Sequence, residues 1–174
     1  TRYGTVTGVQ TCALPISSKE TIGSELALFM EVVLPECLND YDLFQDFTIE
    51  PGAITTNVNI GDEEVTFNVN YPLSIEKGDK HYILEEFNGI VVPVRFGITY
   101  TLAEEIVSYQ VQNEGFMCLS CINTFINEHN LKLSMVDYDF QTVVFSIIDE
   151  EFTVNDEPFQ LNFVNKYNNE SETI

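Results

Sequence analysis

The sequence predicts an α+β fold, mainly antiparallel sheet with helices on one face, in the order α-βββ-αα-βββ. Two changes of side-chain rhythm point to it: apolar residues spaced at three and four give way, twice, to apolar residues spaced at two. Composition is the third observation. With 44% hydrophobic residues, 13 Phe and 8 Tyr, the chain can build a real core, and no run approaches the roughly 18 apolar residues of a membrane-spanning helix.

The first helix is expected over residues 19–39, where Ile22, Leu26, Phe29, Met30, Val33, Leu34 and Leu38 form the apolar stripe. Pro35 removes a ladder bond and crowds the preceding turn, so a kink or a stop is expected near Leu34. From Thr48 the period is two. Thr56, Val58 and Ile60 face one way and Thr55, Asn57 and Asn59 the other, and Gly61-Asp62 turns the chain. Val65, Phe67, Val69 and Tyr71 then return inward against Thr66, Asn68 and Asn70, a hairpin with one wet face. Lys77-Gly78-Asp79 supplies another turn before a third strand over 81–94, whose Gly89 and Pro93 imply a bulge or an edge.

Thr101-x-x-Glu104 has the pattern of a capping box. Phe96, Tyr100, Ala103, Val107 and Val111, widened by Ile98, Leu102, Ile106 and Tyr109, mark a well-buried helix ending near 113–115. A third helix, from Cys118 to about Asn130, carries Leu119, Ile122, Phe125 and Ile126 on its apolar face. Strands are expected over 131–136, 142–148 and 157–165, the last setting Phe159, Leu161 and Phe163 against Gln160, Asn162 and Asn165. Ile60-Gly61-Asp62-Glu63 parallels Val154-Asn155-Asp156-Glu157, and Gly and Asn both tolerate positive φ. The two halves are therefore either a pseudo-duplicated αβββ unit or ordinary hairpins with ordinary turn chemistry.

Lys plus Arg number 7 against 28 Asp plus Glu, a formal charge of −21. Nucleic acid is excluded as a partner, because a phosphate backbone is bound by neutralising it, and anionic lipid headgroups are disfavoured for the same reason. Cation binding, a salty habitat, a crowded cell surface and plain solubility all fit such a charge.

Cys118-x-x-Cys121 at a helix start is the arrangement best suited to chemistry: helix-terminal N–H groups stabilise a thiolate and the i, i+3 spacing brings the sulfurs together. Four readings stand open: a structural disulfide, reduced thiols, a metal site, or a redox pair with Cys118 as the more exposed nucleophile and Cys121 as the resolving thiol. A metal site would recruit Cys118, Cys121 and His129 with His81 or Cys37, yet the Cys pair makes only half a site and no second Cys or His pair completes it, which argues against zinc. His129 suits the helix C-terminus and His81 a strand, while Cys37 is expected either in the core as a small hydrophobe or as a thiol whose partner lay in the lost N-terminus.

The acidic groupings Asp62-Glu63-Glu64, Asp137-x-Asp139 and Asp149-Glu150-Glu151 lack the alternation and central glycine of a calcium loop, so turn capping and solubility are expected of them. No nucleophile elbow, phosphate-cradling loop, zinc-protease helix or dinucleotide fingerprint occurs. No catalytic residue, metal or cofactor is assigned. The expected role is a non-catalytic domain whose partner is a protein, peptide or glycan, with a thiol–disulfide protein as the alternative.

Val6-Thr-Gly-Val-Gln-Thr-Cys-Ala-Leu-Pro-Ile16 resembles a translated sequencing adapter. Residues 1–17 are accordingly expected to be a non-native leader that replaces the true N-terminus and takes Cys12 out of the cysteine count. A single α+β domain is expected over 18–167, followed by a flexible polar tail over 168–174.

Leu34-Pro35-Glu36-Cys37-Leu38-Asn39-Asp40, Tyr71-Pro72-Leu73, Val92-Pro93-Val94-Arg95, Cys118-Leu119-Ser120-Cys121 and Asn165-Lys166-Tyr167 together resemble the C-terminal region of uncharacterised, membrane-anchored exported proteins of small-genome archaea, over nearly all of 20–167. The resemblance implies a domain displayed outside the cell on an N-terminal anchor, with membrane contact only through that anchor, and it carries no functional residue across. An oxidising exterior would favour the Cys118–Cys121 disulfide and make Asn169-Glu170-Ser171 a glycan acceptor.

Overall fold

The computed structural model describes residues 16–112, 118–139 and 142–166. The proposed tail over 168–174, with its glycan acceptor, lies outside them, as do Cys12 and residues 113–115. The α+β class and the predicted order hold, with one short strand more in the first half. The chain groups into two compact units, Ser17–Pro93 and a second from Val94 onward.

In the first unit, α1 (Lys19–Leu38) is followed by a 3-10 helix (Asn39–Phe44) and by β1 (Thr48–Pro51), β2 (Thr55–Ile60), β3 (Val65–Lys77) and β4 (Lys80–Val92). Pro35 does not stop α1, which continues to Leu38. Proline removes its own bond to the carbonyl four residues earlier, and the three residues that follow it complete the last turn. Phe29 is 64% exposed, so it leaves the predicted stripe, while Gly23 is buried on the inward face.

The long strand β3 is the sheet's spine. It pairs antiparallel with β2 over Val65–Asn70, with β1 over Leu73–Glu76, and with β4 along nearly its whole length. The predicted alternation is realised: Val65, Phe67, Val69, Tyr71 and Leu73 are buried. Strand β4 is an edge, and two register shifts, with Gly89 at φ +71° donating its N–H to Asn68 Oδ1 at 3.0 Å, supply the irregularity that Gly89 implied.

The second unit holds α2 (Phe96–Gln112), α3 (Leu119–His129), β5 (Lys132–Asp137), β6 (Thr142–Val154) and β7 (Glu157–Lys166). The strands form a meander with β6 in the middle. Its core joins Leu102, Ala103, Ile106 and Val107 of α2 to Ile122 of α3, Phe145 and Ile147 of β6, Phe163 of β7, and Leu131. The Phe145 and Phe163 rings stack with centroids 5.0 Å apart. Ile16, set aside with the leader, packs against this cluster and so belongs to the folded structure.

Several local expectations are corrected. Thr101 is no cap: α2 starts at Phe96, and the Thr101 hydroxyl donates to the Gly97 carbonyl at 2.9 Å. Leu119 is 55% exposed and leaves the α3 face. Asn165 points inward beside Phe163, buried, with its amide Nδ2 donating to Gln110 Oε1. The β6–β7 turn has Asn155 at φ +53° and Asp156 at φ +65°, the pair of positive angles that a two-residue hairpin of the favoured twist requires. Gly61 has no such angle, and its N–H instead bonds the Glu64 carbonyl at 2.9 Å across a wider loop. The turn between β3 and β4 has one positive angle, Gly78 at φ +59°. The two turns whose sequences run parallel, at Gly61-Asp62 and Asn155-Asp156, therefore differ in backbone, as ordinary hairpins do.

Candidate functional site

Two places gather features of use, one in each unit. In the second, Cys118 is the N-cap of α3, and its Sγ accepts the Cys121 N–H at 3.3 Å. Cys118 and Cys121 form a disulfide with Cα atoms 5.3 Å apart. Their separation follows from the helix start, which folds residues i and i+3 onto one face. Cys121 is exposed and Cys118 only partly so, which reverses the expected assignment of the more exposed sulfur. The capping bond explains this: by accepting from the helix end, the Cys118 sulfur is turned toward the first turn.

A cavity of about 250 Å³ adjoins the disulfide, walled by Glu105, Ser108, Tyr109 and Gln112 of α2. It is smaller than the roughly 300 Å³ at which drug-sized ligand sites begin. As a staple the bond closes a very short loop, which in the chain-entropy account is worth only about 2 kcal/mol.

The structure does not bring the remaining metal candidates to this place. His129 stands at the far end of α3, roughly 12 Å along the axis from Cys121, its ring tilted against that of Phe125 with centroids 4.4 Å apart. His81 lies in the first unit and shares a hydrogen bond with Ser74 Oγ at 2.9 Å, and Cys37 is an exposed free thiol rather than a core residue. Among the described residues, no group of three His, Cys, Asp or Glu is placed to hold a metal ion.

The acidic run Asp149-Glu150-Glu151 does more than keep the chain soluble. Asp149 is fully buried at a β6 irregularity, accepting from Arg95 Nε at 2.7 Å, from Arg95 Nη2 at 2.6 Å and from the Glu151 N–H at 3.1 Å. Glu151 approaches the same guanidinium at 3.2 Å, and the Phe152 ring lies 5.1 Å from its centre. This bidentate pair satisfies both charges internally, an arrangement that holds the β6 end to the start of α2. Sequence inspection missed it because the partners are 54 residues apart.

The second place is an apolar trough in the first unit, about 490 Å³ in volume. Met30, Leu34 and Leu38 of α1 form one wall, Tyr41, Phe44 and Phe47 an end, and β3 and β4 the floor. It exists because α1 packs chiefly on β2 and leaves the far side of the sheet uncovered. Leu84, Phe87 and Ile90 of β4 line it and stay 49%, 38% and 44% exposed, although they sit opposite buried residues of β3.

Its polar feature is a pair of phenols, with Tyr41 OH donating to Tyr71 OH at 2.7 Å. Burial, and then that donated hydrogen bond, hold the Tyr41 hydroxyl well above its ordinary value of 10. Tyr41 adopts φ +62°, a strained angle for a bulky residue, which places its ring in the trough wall. The sequence carried one usable signal for this site: β4 is apolar at Tyr82, Ile83, Leu84, Phe87, Ile90, Val91 and Val92, on both faces of a strand that Gly89 marked as an edge.

No protein-family model, curated protein or solved structure matches the chain. Among the described residues, no helix is long and apolar enough to cross a membrane.

Proposed function

We propose that this chain is a non-catalytic binding module of a membrane-anchored, exported protein, working at the cell surface. The observation that carries the binding role is the trough: a large apolar space beside an otherwise ordered sheet, with its two hydroxyls bonded to each other. Such a lining offers no acid, base or nucleophile to a reacting group, but it offers apolar area to a ligand. The exterior location is supported by the resemblance of Leu34–Asp40, Tyr71–Leu73 and Val92–Arg95 to archaeal exported proteins and by a disulfide suited to an oxidising compartment.

Titration of the full chain with the neutral dye Nile red tests the binding role. Saturable fluorescence that falls in the Leu84→Gln/Ile90→Gln double variant is the expected result, and no saturable binding removes the proposal. Fractionation of the source cells tests the location, and full-length protein found in the cytosol removes that part.

A second reading, favoured by a disulfide that borders a cavity and whose Cys121 is an exposed residue, is a thiol–disulfide protein. The reduced pair would pass two electrons to a substrate disulfide through a mixed disulfide, which the other cysteine resolves. Insulin reduction with turnover, lost in Cys118→Ser and in Cys121→Ser, would establish it; absence of turnover excludes it.

A further inference from the structure

We propose that the trough binds a free single-chain carboxylate amphiphile, its tail lying between α1 and the floor of β3 and β4 and its carboxylate meeting Lys77 and Lys80. This names a ligand for the binding module inferred above and rests on that reading. The tail follows from the lining. The space of about 490 Å³ lies within the range of ligand sites and is walled by carbon, while the Tyr41 and Tyr71 hydroxyls are occupied with each other. A polar molecule would leave its groups unsatisfied there.

The head follows from register. Leu73 pairs with Leu84, Ile75 with Tyr82 and Lys77 with Lys80, and with a period of two these pairs share one face of the sheet. The apolar floor therefore ends in two adjacent lysines. Lys77 confirms the direction, its Nζ lying 4.3 Å from the ring centroid of Phe47 at the trough end. The chain has 7 basic residues against 28 acidic, and two of the 7 stand cross-strand from each other here, with Asp46, Glu76 and Asp79 as the acids nearest them in contact or sequence. Asp46 approaches Lys77 at only 3.9 Å and is itself highly exposed, a weak contact that a ligand carboxylate replaces. A bilayer is disfavoured, because the acidic surface repels anionic headgroups and the trough, walled by α1, admits a chain rather than a flat face.

The test is isothermal titration of the full chain with dodecanoate below its micelle concentration, beside dodecanol and dodecyltrimethylammonium. Dodecanoate is expected to bind about tenfold more tightly than the alcohol, the worth of two exposed ion pairs. The Lys77→Gln/Lys80→Gln variant should bring it to the alcohol's level while its circular dichroism melt stays unchanged, since both side chains are on the surface. Equal binding of alcohol and carboxylate, preference for the cationic amphiphile, or indifference to the lysine substitutions would overturn the proposal. So would co-sedimentation with phosphatidylcholine vesicles without binding of monomeric dodecanoate. If Nile red still binds in any of these cases, the module reading stands and only the ligand class fails; if it does not, both fail.

Discussion

Each unit sets an antiparallel sheet against helix, but they close their cores differently. In the second, α2 and α3 both contribute to the core over β6 and β7, and nine buried apolar residues form one cluster. In the first, a single helix lies mainly on β2, so β3 is buried while β4 keeps its apolar side chains half exposed. The number of helices available to a sheet thus decides whether its inward face closes into core or stays partly open. The same alternating pattern can serve either end.

Substitutions in the closed unit should have the largest effects. Removing one partner of the buried pair, by Arg95→Met or Asp149→Leu, is expected to cost about 3–5 kcal/mol in denaturant unfolding, because the other charge is left buried. The double variant should recover most of that loss. A full loss in the double variant would mean that the charges fix the structure beyond satisfying each other.

Next comes a matched pair of truncations. Ile106→Ala, at a 1% exposed position, should cost about 2–5 kcal/mol, whereas Leu84→Ala in the trough should cost under about 1 kcal/mol, since half of that side chain already meets water. Equal losses would erase the distinction between the two units.

A smaller difference is expected at the phenol pair. The folded chain holds the Tyr41 proton more tightly than the unfolded chain does, so its contribution is fully present below about pH 10 and is lost as pH rises through the raised value. Wild type should lose stability above about pH 10 more steeply than Tyr41→Phe. Parallel pH profiles would show the hydroxyl to be solvated.

The smallest effect belongs to the start of α1. The Glu20 carboxyl lies below its ordinary 4.5 because of its backbone hydrogen bond and then Ser18, so its contribution is present above pH 4.5 and is lost as pH falls through the lowered value. Glu20→Gln should flatten that part of the acid limb, measured by helix signal against pH.

The element order could be read because its signals are local. The alternation at Val65, Phe67, Val69 and Tyr71 names a buried strand face, and Cys118 and Asn130 bracket α3 as its caps. What escaped depends on residues far apart. Asp149 looks like one more surface acid until the fold supplies Arg95. Asn165 is the exception: its parity with Phe163 is local and already puts it on the apolar face, and grouping it with Gln160 and Asn162 ignored that, while the partner it meets there, Gln110, is distant in sequence. The cysteine pair was legible as a pair, but the order of sulfur exposure was set by a capping bond that only geometry reveals. The trough could not be read at all as a space, because it is defined by where α1 fails to reach.

Strand β4 presents thirteen residues at the rim of its sheet, the kind of rim on which chains stack into fibrils. The left-handed glycine at position 89 and the two slips in register bend that rim, and Glu85 and Glu86 charge it. A chain with the bend ironed out would be a template for its own copies, so these irregularities work against edge-to-edge pairing along an uncovered greasy strand.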